Sequence, residues 1–262
     1  MQLKLLRIFI LTLFFNLACS LCVSAGMPNA NELVVKSDKI RNPDKSFRMK
    51  TALIEYRNNK ETQKMFFSVY SKPNLKTGEY NTLIKFLEPS KDYGKLMLKD
   101  GANIWFFDPL SKSTARISPQ QRLMGQTSNG DVMTINFSND YAASIVKEEN
   151  ITSADKKKID CYMLELTAKD NAANYFRIEY WLAKDDANPV KANFYSASNR
   201  LTKIIFYRNY KNELGAMRPT EAIIIDGIDK NFVTRMIFSN FEYLDIKDEV
   251  FQKSALQNFK LD

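Results

Sequence analysis

Residues 95–108 read KLMLKDGANIWFFD, and this stretch decides the fold. Two short runs, 95–99 and 103–108, flank Asp100-Gly101, a dipeptide suited to a two-residue hairpin turn. With Asp100 and Gly101 at its centre, the turn sets Lys99 opposite Ala102, Leu98 opposite Asn103 and Leu96 opposite Trp105. Because side chains alternate along a strand, one face of the hairpin gathers Leu96, Leu98, Trp105 and Phe107. The other carries Lys95, Met97, Lys99, Ile104 and Phe106, a mixed and partly wet surface.

Outward from this hairpin the same period of two recurs. Upstream, runs rich in Val, Ile, Phe and Tyr occupy 49–56, 64–70 and 80–87, punctuated by Asn58-Asn59, Lys72-Pro73-Asn74 and Glu88-Pro89-Ser90. Downstream they return at 144–151, 159–168, 175–183, 190–196, 201–210, 220–226 and 232–241. Helical patterning is sparse. Residues 31–40 form one short helix, capped by Asn29 or Asn31 and stopped by Asn42-Pro43, and 247–259 read as a closing helix. The break at 119–140 reads as short helices or an irregular lid, with Gly125 and Ser128-Asn129-Gly130 as hinge points. So many antiparallel strands curl rather than lie flat. The expected fold is therefore mainly β, a curved antiparallel sheet forming an incomplete, half-open β-barrel with short helices as its lid.

An apolar sheet face must be covered by a second layer, and little helix is available here to cover it. A hollow is the expected result. Its lining is assigned to the hairpin face of Leu96, Leu98, Trp105 and Phe107, to Phe176, Ile178, Tyr180 and Leu182, and to Phe232, Met236 and Phe238. Leu123, Met124 and Phe137 from the break complete it. Arg177 and Glu179 point the other way, with Arg177 expected to be exposed.

Composition narrows the function. Lys4 and Arg7 precede an apolar run from Ile8 to Val23, and Val23-Ser24-Ala25 offers small residues for cleavage, the pattern of a secretory signal peptide. The alternative is a lipoprotein signal acylated at Cys19, for which Asn16 stands where an aliphatic residue is usual. Cleavage after Ala25 leaves a single domain, 26–262, with Cys161 as its one cysteine and a formal charge of +6, from +8 for the whole chain. One cysteine forms no internal disulfide and no cysteine-clustered metal site; Cys161, beside Ile159 and Met163, is expected to be a buried thiol. The chain has no histidine, which removes the commonest general base, nucleophile partner and metal ligand together. Asp108 and Asp131 sit beside turn residues and read as local hydrogen-bonding groups, and 156–158, three lysines, as a solvated turn, with docking of an anionic head group or a membrane surface as the alternative. No catalytic residue, cofactor, metal or nucleic-acid partner is assigned.

The chain resembles the outer-membrane lipoprotein-sorting family, related to the lipoprotein carriers LolA and LolB. The resemblance rests on Arg41-Asn42-Pro43 leading into 46–49, on 83–89, on 101–109, on 115–122 and 136–138, and on 177–182 and 191–195. It implies a half-barrel with a lidded cavity and a periplasmic carrier that binds the acyl chains of a lipoprotein or lipid and passes them toward the outer membrane. An accessory lipid-binding subunit of a membrane lipid exporter is the alternative, and an inner-membrane transporter the further partner implied. In such carriers a buried arginine holds the lid; Arg48, Arg116 and Arg122 are the candidates here. The exported protein is expected to begin near Gly26. N-terminal sequencing checks this, and an acylated Cys19 would overturn it.

Overall fold

The computed structural model describes residues 27–171 and 173–260; the segment read as a signal peptide, with Cys19 and Cys22, lies outside the described residues. Helix α1 (Ala30–Arg41) is capped by the Asn29 side chain, which accepts from the backbone N–H groups of Asn31 and Glu32 at 2.9 and 3.3 Å. Its C-terminal carbonyls, which no helical N–H can reach, accept instead from the buried Arg218: Nη1 donates to Lys39 O at 2.9 Å and Ile40 O at 2.8 Å.

Six strands follow: β1 (Phe47–Arg57), β2 (Lys60–Pro73), β3 (Tyr80–Glu88), β4 (Leu96–Asp100), β5 (Asn103–Asp108) and β6 (Ser113–Ile117). A small hairpin of β7 (Arg122–Met124) and β8 (Thr127–Ser128) and the one-turn helix α2 (Phe137–Asp140) occupy the break. Seven strands complete the chain: β9 (Tyr141–Thr152), β10 (Lys158–Ala168), β11 (Arg177–Ala183), β12 (Pro189–Tyr195), β13 (Leu201–Glu213), β14 (Ala216–Asp226) and β15 (Phe232–Tyr243). Among the described residues, thirteen strands form one antiparallel sheet in the order β6-β5-β4-β3-β2-β1-β15-β14-β13-β12-β11-β10-β9. The sheet stays open, with β6 and β9 as its two edges, which is the half-barrel expected from the sequence.

Three local expectations change. The hairpin register is displaced: Asp100 pairs with Asn103, Leu98 with Trp105 and Leu96 with Phe107, so the loop is Gly101-Ala102. Only Gly101 of the two has a positive φ, +57°, which glycine adopts without a Cβ penalty. The face assignment survives, because moving the turn by one residue changes each pairing partner by two and preserves parity. Second, β6 carries no alternation (Ser-Thr-Ala-Arg-Ile) and had no hydrophobic signal to reveal it. Third, 247–259 forms two 3-10 segments, Asp248–Phe251 and Lys253–Asn258, rather than one helix. Ile246, Phe251 and Leu256 recur every fifth residue, a spacing that lines no single face of an α-helix. The chain breaks at Gln252, extended at φ −107° and ψ 143°, and each apolar side chain returns to the sheet.

Both faces of β2–β5 are buried. On the convex side Tyr70, Leu83, Leu96, Leu98 and Phe107 pack against Ile246, Phe251 and Leu256. The concave side carries Phe67, Val69, Ile84, Met97 and Ile104, part of the main core. Cys161 is buried on the convex face with Met163, Trp181 and Val190, its thiol pushed up to about 12 by burial. Lys156–Lys158 lie exposed at the β9–β10 turn, where Lys156 takes a φ of +59°.

The C-terminal segment therefore acts as core. Leu256→Ala is expected to lower unfolding free energy by about 2–5 kcal/mol, as for other fully buried leucines. Val146→Ala, on the exposed edge strand β9, should change it by less than about 0.5 kcal/mol. Urea titrations of the two variants check the pair.

Candidate ligand-binding site

The chain leaves the sheet at one edge, after β6, and re-enters at the other, in β9. Residues 118–140 consequently cross the concave face as a strap. The strap presses Met124, Val132, Met133 and Phe137 into the core formed by the concave sides of the strands, with Ile135 partly buried beside them. Helix α1 lies alongside, adding Val34 to the same cluster and bonding Ser37 Oγ to Tyr180 Oη at 2.7 Å.

The strap's glycines serve close approach rather than hinging. Gly125, at φ +57° in the β7–β8 loop, is so near β15 that a Cβ would lie 2.2 Å from Thr234 Oγ1. At Gly130 a Cβ would lie 2.0 Å from Asn174 Nδ2. The Gln126 N–H donates to Thr234 Oγ1 at 3.1 Å, pinning the loop to the sheet.

Polar contacts fasten the strap at two further places. Near its middle, Asp131 accepts from Tyr175 Oη at 2.6 Å, from the Ser128 N–H at 2.7 Å and from Lys203 Nζ in a close ion pair. Lys203 also donates to Gln126 O at 2.8 Å. The Lys203 and Asp131 side chains are only 6% and 7% exposed. Burial, and then the Asp131 carboxylate, raise the Tyr175 phenol well above its ordinary pKa, so it remains an O–H donor. Toward β9, Asp38 of α1 accepts from the N–H groups of Phe137 and Ser138 at 3.0 and 2.8 Å and pairs with Arg41. The Arg41 guanidinium lies 4.1 Å over the Phe137 ring and donates to Ile135 O at 3.4 Å. Burial alone would lower its pKa; the fields of Tyr180 and Asp38 outweigh that and raise it, so the charge persists. Asn42 Nδ2 donates to Ile135 O and Asn136 Oδ1 at 2.8 and 2.7 Å, and Thr134 meets Ser71 at 2.6 Å.

Between strap and sheet remains a hollow of about 120 Å³, bordered by Phe47, Ile205, Tyr207, Ala222, Met236 and Phe238, among others. Sites that hold drug-sized ligands span roughly 300–1,000 Å³, so with the strap in this position the hollow is smaller than such a site. Beside it, separated by Tyr175, opens a larger cleft of about 620 Å³ with mixed polar and apolar walls.

The structure divides the residues assigned to the lining. Phe137, Met236 and Phe238 border the hollow. Met124, Ile178, Tyr180 and Leu182 belong to the same concave core, with Leu123 partly buried against it. Phe232 continues that face to the rim, where the Arg57 guanidinium sits 3.7 Å over its ring. Leu96, Leu98, Trp105 and Phe107 do not join them: they lie on the convex face, Trp105 beneath Lys253 Nζ at 3.9 Å. Both faces of the hairpin are apolar, and alternation cannot say which one is concave. Phe176 precedes β11 and is 51% exposed. Arg177, expected to be exposed, is half-buried between Glu165 and Glu179 at 3.2 and 3.0 Å.

The arginine that touches the strap's α2 end is Arg41. Arg48 pairs with Glu242 at 2.7 Å outside the strap, Arg116 is exposed on β6, and Arg122 is exposed on the strap itself. Ile205, Tyr207, Ala222 and Lys203 were not singled out from sequence, although all four lie in runs read as strands. Asp131 does make the local turn bond expected of it, but its carboxylate also holds Lys203 and Tyr175.

An open antiparallel sheet with an apolar concave face, roofed by a helix and an edge-to-edge strap, defines a class of half-barrel proteins. The chain belongs to the LolA superfamily: a LolA superfamily protein from Nitrosomonas europaea is 32% identical, covering 87% of this chain and 99% of its own, with a TM-score of 0.78. A DUF1329 family protein from Desulfovibrio piger is 26% identical, covering 87% and 97%, with a TM-score of 0.74. A proposed outer membrane lipoprotein-sorting protein domain from Vibrio parahaemolyticus shares the fold at 19% identity and TM-score 0.74, covering 87% and 98%. A family model described as "Uncharacterized protein" matches residues 78–258. No curated protein matches the chain.

Asp131→Asn should release the strap, because breaking a buried ion pair leaves Lys203 uncompensated at a cost of about 3–5 kcal/mol. Hydrogen exchange is expected to speed up across 122–136 while β1–β3 keep their protection. Unchanged exchange in the strap would show that the pair does not hold it.

Proposed function

We propose that this protein is a periplasmic carrier that takes the acyl chains of a lipoprotein or lipid into its concave face and passes them toward the outer membrane. One observation carries the reading: the apolar face of the half-barrel is filled by side chains of a strap, not by the sheet's own packing partner. Met124, Val132, Met133 and Phe137 occupy the volume that a ligand chain would take once the strap moves. Burying such side chains stabilises by about 1.5–3 kcal/mol each. An acyl chain at roughly 0.8 kcal/mol per methylene gains on the order of 10 kcal/mol from the same face. The exchange is near balance, as a carrier that must load and release requires.

The LolA superfamily relative and the lipoprotein-sorting domain of the same fold support this reading. So does the chemistry at hand. The site offers apolar carbon, a few hydroxyls and ion pairs that fasten the strap, and the chain has no histidine to serve as a general base. Binding, not turnover, is what such a surface does.

Ala222 lies on the floor of the hollow, at the centre of β14. Ala222→Phe is expected to weaken binding of a long-chain fatty acid at least tenfold with an unchanged circular dichroism spectrum. The same change at Ala52, whose side chain is on the opposite face of the sheet, should leave affinity intact. Native mass spectrometry of the wild-type protein from a bacterial periplasm should also show a lipid-sized mass adduct. Full fatty-acid binding by the Ala222 variant, or none by the wild type, would overturn the assignment.

A further inference from the structure

We infer that the larger cleft beside the hollow is a subsite for the anionic head group, phosphate or carboxylate, of the amphiphile whose chain enters the hollow. The inference rests on the acyl-chain reading above and adds the charge of the ligand. The cleft, about 620 Å³, lies within the usual volume of ligand sites, and its walls come from the strap, the β10–β11 connection and the turns after β12 and β14. Its cationic side chains are Arg122, Arg200 and Lys203; its carboxylates are Asp170 and Asp226.

The formal charges of these groups cancel once Asp131 is counted, and what favours an anion is which of them still have open hydrogen-bonding capacity. Lys203 is neutralised by Asp131. Asp226 Oδ1 already accepts from the N–H groups of Ile228 and Asp229 at 2.8 and 2.7 Å, and Asp170 is engaged. Arg122 and Arg200 are exposed and have no charge or hydrogen-bond partner for their guanidinium groups among the described residues. A guanidinium offers five donors in a fork that matches carboxylate and phosphate oxygens, and these two open onto one cleft. Hydrogen-bonding side chains of Asn171, Asn174 and Ser196 border the same space.

Adjacency makes the occupant an amphiphile and not a free ion. Tyr175 borders both the cleft and the hollow, so a molecule lying past it places a chain on one side and a head on the other. The rim adds apolar surface that a small anion would not use: Phe176 is 51% and Ile228 76% exposed, and both border the cleft.

The test compares ligands with one chain and different heads, by titration calorimetry at low ionic strength and below micelle formation. The probes are dodecyl phosphate, dodecyldimethylamine oxide, which is uncharged above neutral pH, and inorganic phosphate. The wild type should bind dodecyl phosphate at least tenfold more tightly than the amine oxide. That preference should vanish in the double variant Arg122→Gln, Arg200→Gln, with amine oxide affinity unchanged, and persist in Lys156→Gln, Lys157→Gln, which removes the same charge elsewhere. Equal affinity for both heads, or a preference that survives loss of the two arginines, would overturn the subsite and leave the acyl-chain reading standing. Inorganic phosphate displacing dodecyl phosphate at comparable concentration would overturn it too, as a site for free anions. If the wild type binds neither amphiphile, the acyl-chain reading itself falls.

Discussion

The structure depends on one topological constraint: the chain must travel from β6 to β9, the two unpaired edges of a single sheet, and the path it takes is across the concave face. A thirteen-stranded sheet that closed on itself would bury its interior permanently. Here the edges never meet, and the connection between them becomes the cover. The strap is thus anchored covalently at both rims while its middle is held only by side chains. Its two ends run directly into the ladders of β6 and β9.

What holds the middle down is a mixture of unequal forces. The apolar contacts of Val132, Met133 and Phe137 are strong but not selective, since any hydrocarbon could replace them. The polar fastenings are few and geometrically demanding: Asp131 with Lys203 and Tyr175, Asp38 with Arg41 and the start of α2, and the Gln126 N–H with Thr234. Ion pairs shielded from water are sensitive to losing one member, more so than exposed ones. The apolar part therefore supplies most of the adhesion, and the polar part fixes where the strap lies.

Helix α1 links these fastenings to the sheet. Its C-terminal carbonyls are held by Arg218 on β14, its Ser37 by Tyr180 on β11, and its Asp38 and Arg41 by the strap. The helix is short and weakly amphipathic, with a buried serine and aspartate, so its place is defined by these polar contacts as much as by Val34. A shift of the strap would expose the Asp38 carboxylate and Arg41 together, which makes α1 part of the cover and not a bystander.

The fold was largely legible because alternation is a local property. Nearly every strand of the large sheet coincides with a run of period-two hydrophobicity, and the Asn29 cap and the Asn42-Pro43 stop bound helix α1. Runs such as Ile178–Leu182 even declared their buried face, because the opposite side carries Glu179. The sequence alone thus determined an open β architecture poor in helix, with an apolar interior and no histidine chemistry. Which face of a doubly apolar hairpin is concave was decided only by the tertiary structure: Leu96, Leu98, Trp105 and Phe107 met the C-terminal segment, and Met97, Ile104 and Phe106 joined the main core that also takes in the strap. Likewise, no local pattern could tell that Asp131 would face Lys203, seventy-two residues away, or that Arg41 would meet Phe137. Those contacts form where the strap crosses the sheet, and the energy of a pair so separated in sequence depends on the closed geometry that brings it together and excludes water from it.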